Sequence, residues 1–206
     1  MPATDFKREL KDLYQPSSKD FSIVDLPPMS YLMIDGEGDP NTSQRYADAL
    51  NALYAVAYTL KFENKKSNPA ADYSVMPLEG LWWSADNRDF TMGKYDTWQW
   101  TMMIMQPPVI TPAAVAAALR AAGAKKPLPA LSRMRFEELY EGLCAQILYF
   151  GAYKDEGPTI QHLHAFIGDR GYVLVGKHHE IYLGVPRRTE PSKLKTVIRQ
   201  PMARLS

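Results

Sequence analysis

Glu180 and Tyr182 stand two residues apart in the stretch Gly176-Lys177-His178-His179-Glu180-Ile181-Tyr182-Leu183-Gly184. On an extended strand that spacing puts both side chains, with His178, on one side, and leaves Ile181 and Leu183 on the other. A carboxylate beside a phenol can take a proton from water, while the phenol steadies it or donates to a developing oxyanion. The same carboxylate can pair with a ligand cation, helped by aromatic faces. Taken alone, such a glutamate reads as the solvated side of a half-exposed strand. The supply of aromatic residues elsewhere shifts that balance. Trp82, Trp83, Trp98, Trp100, Tyr73, Tyr140 and Tyr149 are candidate walls for a flat ligand, each buried ring contact contributing about 0.5–1.5 kcal/mol beyond area burial. A strand tryptophan is ordinarily core, so each must be placed before it counts. Trp82 and Trp83 are adjacent and must face opposite ways, whereas Trp98 and Trp100 share a face.

The elements that would position these residues are legible in outline. Residues 6–20 form a short amphipathic arm. Strands are expected at 21–25 and 31–35, the second running into Gly36-Glu37-Gly38, which reads as a turn or bulge because it lacks the third glycine of a dinucleotide site. Asn41 to Ser43 offer caps for a long helix carrying Tyr46, Ala49, Leu50, Leu53, Tyr54 and Ala57, fading at Lys61 to Pro69. After Gly80-Leu81-Trp82-Trp83 and a polar turn at 86–89, residues 97–105 give the clearest strand. Thr111-Pro112 opens an alanine-rich helix that Gly123 should stop. Lys125 to Ala130 is a linker. The plan then repeats: a strand over 143–149, a helix from Pro158 to Gly171, and the Glu180 strand, with Pro186 barring its continuation. Thr189 and Pro191 suit a last short helix (Leu194, Val197, Ile198) halted by Pro201. The expectation is an α+β fold. It has one domain over 1–206 built of two β-α-β-β pseudo-repeats (about 20–124 and 130–206), with a curved antiparallel sheet, helices on its back and a groove between the halves.

Composition excludes several alternatives. With 46% hydrophobic and 23% charged residues in 206, the chain suits one large domain or two small, closely packed halves. A net charge of +1 argues against direct nucleic-acid binding, and the basic residues Arg187, Arg188, Lys193, Lys195, Arg199 and Arg204 read as a solvated face. No apolar run is long enough to span a bilayer, and the first residues lack a secretory pattern. A single cysteine, Cys144, forms no internal disulfide; the expected location is the cytoplasm. No metal is expected, because His162-x-His164 diverges on a helix and neighbours in His178-His179-Glu180 diverge on a strand. No phosphate loop or nucleophile set is present, so no cofactor is expected.

With the Gly151-Ala152-Tyr153 turn, the repeated plan and Glu180-x-Tyr182 in hand, the chain resembles the GyrI-like small-molecule-binding family. The resemblance runs from Phe6-Lys7-Arg8-Glu9-Leu10-Lys11-Asp12-Leu13-Tyr14 through Met33-Ile34-Asp35-Gly36-Glu37-Gly38-Asp39-Pro40-Asn41. It continues in Gly142-Leu143-Cys144-Ala145-Gln146, the Glu180 strand and Pro186-Arg187-Arg188-Thr189. It points to the free-standing branch and implies two SHS2-like β-α-β-β repeats around a ligand groove with Glu180 facing it. In relatives fused to transcription regulators the equivalent acid helps hold flat cationic drugs. The chain is also similar to the cyclopropanoid cyclopropyl hydrolases, which open the strained ring of DNA-alkylating natural products. The resemblance therefore implies a small aromatic ligand, with Glu180 and Tyr182 as catalytic candidates. Some relatives are binding modules only, a few acting on DNA gyrase. A monomer or weak homodimer is expected.

Overall fold

Short connections decide the shape of this molecule, whose computed structural model describes residues 3–84, 97–184 and 189–205. The polar turn expected at 86–89, and Pro186 with Arg187 and Arg188, lie outside the described residues. The arm forms two single-turn helices, α1 (Phe6–Glu9) and α2 (Lys11–Tyr14). β1 (Ser22–Leu26) and β2 (Met29–Glu37) precede the long helix α3 (Gln44–Ser67), then β3 (Leu78–Trp83), β4 (Gln99–Gln106) and α4 (Pro112–Lys125). The second half holds β5 (Arg135–Leu139), β6 (Gly142–Phe150), α5 (Gly157–Gly168), β7 (Tyr172–Leu174), β8 (His178–Tyr182) and β9 (Lys195–Arg204). The fold is mixed α+β, with one large antiparallel sheet in the order β1-β6-β9-β8-β3-β4-β2-β5 and β7 paired to the end of β9. No described helix is long and apolar enough to cross a membrane.

That order forces the sheet to curl. Only Pro27 and Pro28 join β1 to β2, which stand six places apart. A flat sheet would separate them by about 29 Å, yet three residue steps span at most about 11 Å. Tyr140 and Glu141 join β5 to β6 under the same constraint. Glu141 reaches His179 across this second connection, so the sheet closes over the face that carries His179. Glu180 points the other way, onto the convex face. That corrects the expectation of a carboxylate on a concave front with helices behind. α3 and α5 both pack on the Glu180 face: Tyr46 of α3 stacks on Trp82, and Leu163 and Ile167 of α5 cluster with Ile198, the register partner of Glu180.

The concave side is closed by a buried polar network that also fastens the N-terminal arm. His179 sits between Glu79 (2.9 Å) and Glu141 (2.8 Å), and the Tyr14 hydroxyl donates to Glu79 at 2.8 Å. Arg199 donates to Gln146 and to the Leu13 carbonyl, and Gln146 donates to the Asp12 carbonyl. Burial opposes a charge on His179, but Glu141 and its hydrogen bonds hold the imidazole above its ordinary value. Burial likewise opposes a charge on Glu141, but His179 and Arg199 hold that carboxyl below its ordinary value. Two carboxyl groups facing an imidazole and a guanidinium make the burial of charge tolerable.

Three local expectations fail for identifiable reasons. The helix expected after Pro191 is a single 3-10 turn (Pro191–Lys193) followed by β9. β9 lies between β6 and β8, and residues 196–202 are all buried, so both faces are filled and period-two alternation is lost. Pro201 is accommodated where β9 changes neighbour from β8, ending at Arg199, to β7, beginning at Met202. α3 passes Lys61 and runs to Ser67, its last turns tied down by Lys61 and Lys65 on Asp72 and by Asn64 on the Ala71 carbonyl. α4 passes Gly123 to reach Lys125. The caps at Ser43 and Thr111 form as expected, accepting from Tyr46 and Ala114.

Candidate functional site

At the middle of the strand order, where β8 meets β3, Gly80 lies opposite Glu180, and Trp82 opposite both His178 and, on β4, Trp100. Glycine at position 80 is a steric requirement. A Cβ there would lie 2.8 Å from Trp82 Nε1 and 3.1 Å from the Tyr182 hydroxyl, two groups that hydrogen-bond over it at 2.8 Å. The Tyr182 hydroxyl donates its own proton to Glu180 Oε2 at 2.7 Å, and His178 Nε2 lies 3.1 Å from Oε1. The relay Trp82–Tyr182–Glu180 thus fixes the carboxylate from one side and His178 from the other. Burial and the neighbouring Glu180 charge push the Tyr182 phenol well above its ordinary range, so it stays a donor. Glu180 is 9% exposed, which excludes the solvated-face reading of this residue.

Rings enclose this acid. Tyr46 stacks on Trp82 at 6.2 Å and meets Trp100 edge-on at 5.3 Å; Trp98 meets Trp82 edge-on at 5.4 Å. Tyr153, in the 3-10 turn before α5, packs edge-on against Tyr182 at 5.4 Å. The hydroxyls of Tyr46 and Tyr153 are both raised, first by burial and then by neighbouring acids that include Glu180. Trp100 is fully buried, its ring lying over Gly36, where a Cβ would come within 2.1 Å. That close approach, inside β2, is what the Gly36-x-Gly38 pair serves at its first glycine; the second sits in a turn at φ 92.

A second carboxyl shares the place. Glu156, the residue before α5, is 2% exposed and faces Glu180 and Thr196. Burial first, then the neighbouring Glu180, push Glu156 up to about 10, so at neutral pH it carries a proton. No side-chain cap bond forms at Glu156, which turns inward instead. Glutamate is a poor N-cap beside Ser, Thr, Asp or Asn, and a Glu-Gly-Pro helix start is the available sequence signal. Sequence reasoning misses Glu156. It places Tyr46 only on a helix face, and Tyr153 only in a turn.

The remaining candidates divide. Trp82, Trp98, His178 and Tyr182 come together with Glu180, and Trp100 supports them from beneath. Trp83 faces away, as its adjacency to Trp82 requires, hydrogen-bonded to Gln99 with the Lys177 ammonium 3.3 Å above its ring. It belongs to a polar groove of about 340 Å³ lined also by Asp35, Arg45 and Arg135. Tyr149, on β6, donates to the Ala152 carbonyl and neighbours Glu156 rather than Glu180. Tyr73 is buried where residue 4 bridges to it, with Asp72 as its charged neighbour. Tyr140 is 66% exposed in the β5–β6 connection, far from enclosing anything.

The profile of the GyrI-like small molecule binding domain matches residues 19–202. Three solved structures from Listeria innocua superpose over nearly the whole chain. An uncharacterized conserved protein is 36% identical, with a TM-score of 0.89, over 97% of this chain and 99% of its own. A protein described as a hydrolase is 35% identical, with a TM-score of 0.84, over 97% and 99%. Another described as a hydrolase is 34% identical, with a TM-score of 0.86, over 98% and 100%. No curated protein matches the sequence significantly.

Proposed function

The chain belongs to the GyrI-like small-molecule-binding family, and from that premise we propose that it binds flat aromatic molecules against Glu180 and hydrolyses activated cyclopropanes among them. The observation that carries this reading is the placing of Glu180 beside a protonated Glu156 inside a shell of Tyr46, Trp82, Tyr153 and Tyr182. A protonated carboxyl beside a second carboxyl can supply an acid and a base at one place. The hydrolase description of two relatives at about 35% identity favours catalysis over retention alone.

In a cyclopropane conjugated to a dienone, water attacks the ring methylene and the strained carbon–carbon bond breaks. Its electron pair flows into the dienone, whose carbonyl oxygen becomes a phenolate. Glu180 takes the proton from the attacking water, and the protonated Glu156 returns one to the phenolate, so one water is added and no other reagent is consumed. Tyr182 and His178 hold Glu180 in place. Aromatic stacking orients the substrate plane, and excluding bulk water strengthens each polar contact. The rings must part to admit a ligand, since Glu180 is almost fully covered.

The strand order supports reading the chain as two like halves. Exchanging β1 with β5, β2 with β6, β3 with β8 and β4 with β9 returns the same order reversed, with the site on the exchange axis. The test is incubation with a cyclopropane-dienone alkylator, followed by mass spectrometry for a product one water heavier. Product from wild type, lost in Glu180→Gln, is expected. Unchanged alkylator retained by the protein would instead indicate a binding module.

A further inference from the structure

A buried hydroxyl beside Tyr182 is left over by the network around Glu180. Thr196 of β9 stands opposite Tyr182 of β8 and Tyr149 of β6 in register, so the three side chains share the Glu180 face. Thr196 is fully buried, yet its Oγ1 has no hydrogen-bond partner among the described residues. The segment that covers it is fastened from both sides. The Tyr149 hydroxyl donates to the Ala152 carbonyl at 3.3 Å, and Tyr153 packs against Tyr182 at 5.4 Å. The Gly151 amide donates to the Leu194 carbonyl, and the Glu156 amide to the Tyr153 carbonyl. Glu156 is thereby turned in over Thr196, and its Oε1 is likewise buried without a partner among the described residues. Two orphaned polar atoms at one place call for an occupant, since buried polar groups ordinarily find partners.

We propose that Thr196 and Glu156 are paired donors to the carbonyl oxygen of the ligand, the atom that becomes the phenolate when the ring opens. The inference rests on the hydrolytic reading of Glu180. Thr196 is the diagonal neighbour of Glu180 across β8 and β9, about 7–8 Å away, so one ligand ring spans from the acid to the donors. Tyr153 and Glu156 belong to one turn, and the parting of rings that admits a ligand to Glu180 therefore uncovers both orphaned atoms. Both donors are neutral, because Glu156 keeps its proton at neutral pH. A hydroxyl and a protonated carboxyl held away from water make a donor set for an oxyanion. As the strained bond breaks, its electron pair arrives on this oxygen. Hydrogen bonds to the developing anion are about twice as strong as those to a neutral carbonyl, so the pair favours the transition state over the bound substrate. Glu156 then gives its proton to the oxygen, Thr196 keeps its own, and the proton that Glu180 took from water passes to Glu156.

Infrared spectroscopy of bound fluorenone, a flat neutral ketone isotopically labelled at its carbonyl carbon, reads the contact without turnover. In wild type the carbonyl band should fall below its position in an apolar solvent. Thr196→Val should move it back toward that position, Thr196→Ser should restore the displacement, and Glu180→Gln should leave it in place. Removing an unpaired hydroxyl should not lower the melting temperature of Thr196→Val, whereas a purely structural role for that hydroxyl would. With a cyclopropane-dienone, Thr196→Val should lose kcat on the order of 10²-fold with KM little changed. A band at the same position in wild type and Thr196→Val overturns the donor pair and leaves hydrolysis through Glu180 standing. So does a Thr196→Val protein that turns over at the wild-type rate. A Thr196-dependent band in a protein that hydrolyses no cyclopropane keeps the pair as a carbonyl-binding site and overturns the hydrolytic reading. Absence of any fluorenone binding overturns both.

Discussion

Replacing Glu156 by glutamine should make this protein more stable, by an amount that grows with pH. Wild-type Glu156 keeps its proton up to about 10, against an ordinary value of 4.5. Between those values the native state binds a proton that the unfolded chain releases, so the stability this group contributes is full below pH 4.5 and falls as pH rises toward 10. The loss is about 1.4 kcal/mol per pH unit, or about 3 kcal/mol at pH 7. The amide introduced by Glu156→Gln would keep the shape and a donor toward Glu180 without titrating. Urea unfolding of both proteins at about pH 5, 6, 7 and 8 should therefore give curves that nearly coincide at the lowest pH and then diverge, with the variant ahead. Glu180→Gln removes the charge that helps raise Glu156 and should shrink the divergence. A variant that is less stable at every pH, or more stable by a constant amount, would refute the shared-proton account.

Tyr182→Phe leaves the buried Trp82 Nε1 hydrogen and the Glu180 Oε2 oxygen each without a partner; it should lower stability by about 1–3 kcal/mol in chemical denaturation and reduce turnover of a cyclopropane-dienone. Gly36→Ala drives a methyl into the Trp100 ring, a clash that should cost about 1–3 kcal/mol or more, visible as a lower melting temperature. Gly80→Ala, which intrudes on the Trp82–Tyr182 hydrogen bond, should weaken ligand binding more than its effect on stability accounts for. Glu141 is held below its ordinary value, so its contribution is present above about 4.5 and lost as pH falls through its folded value; Glu141→Gln should lower stability at neutral pH and flatten the acid limb of the unfolding profile.

Much of this architecture is written in local pattern. Caps at Ser43 and Thr111 and the alternation around Glu180 place α3, α4 and β8, because each depends on neighbours in sequence. β9 escapes for the opposite reason. A strand buried on both faces, with Val197 and Ile198 at helix-like intervals from Leu194 just before it and Pro201 inside it, shows its nature only once β6 and β8 are beside it. The convex placement of Glu180 is equally hidden, since it follows from two short connections between strands six places apart. Trp82 and Trp98 can be nominated by type, but separating them from Trp83 and Tyr140 needs the register. Glu156 carries only the faint anomaly of a glutamate at a helix start, and its partner lies on β8, 24 positions along the chain.

The central claim is that the carboxylate at position 180 meets the ligand. Calorimetric titration of wild type and Glu180→Gln with a flat monocationic dye addresses it most directly. Loss of a charge-assisted contact corresponds to at least a tenfold weaker Kd in the variant, on the order of 1.5–3 kcal/mol, with the melting temperature of the unliganded protein not reduced. Equal affinity in the two proteins would contradict the account.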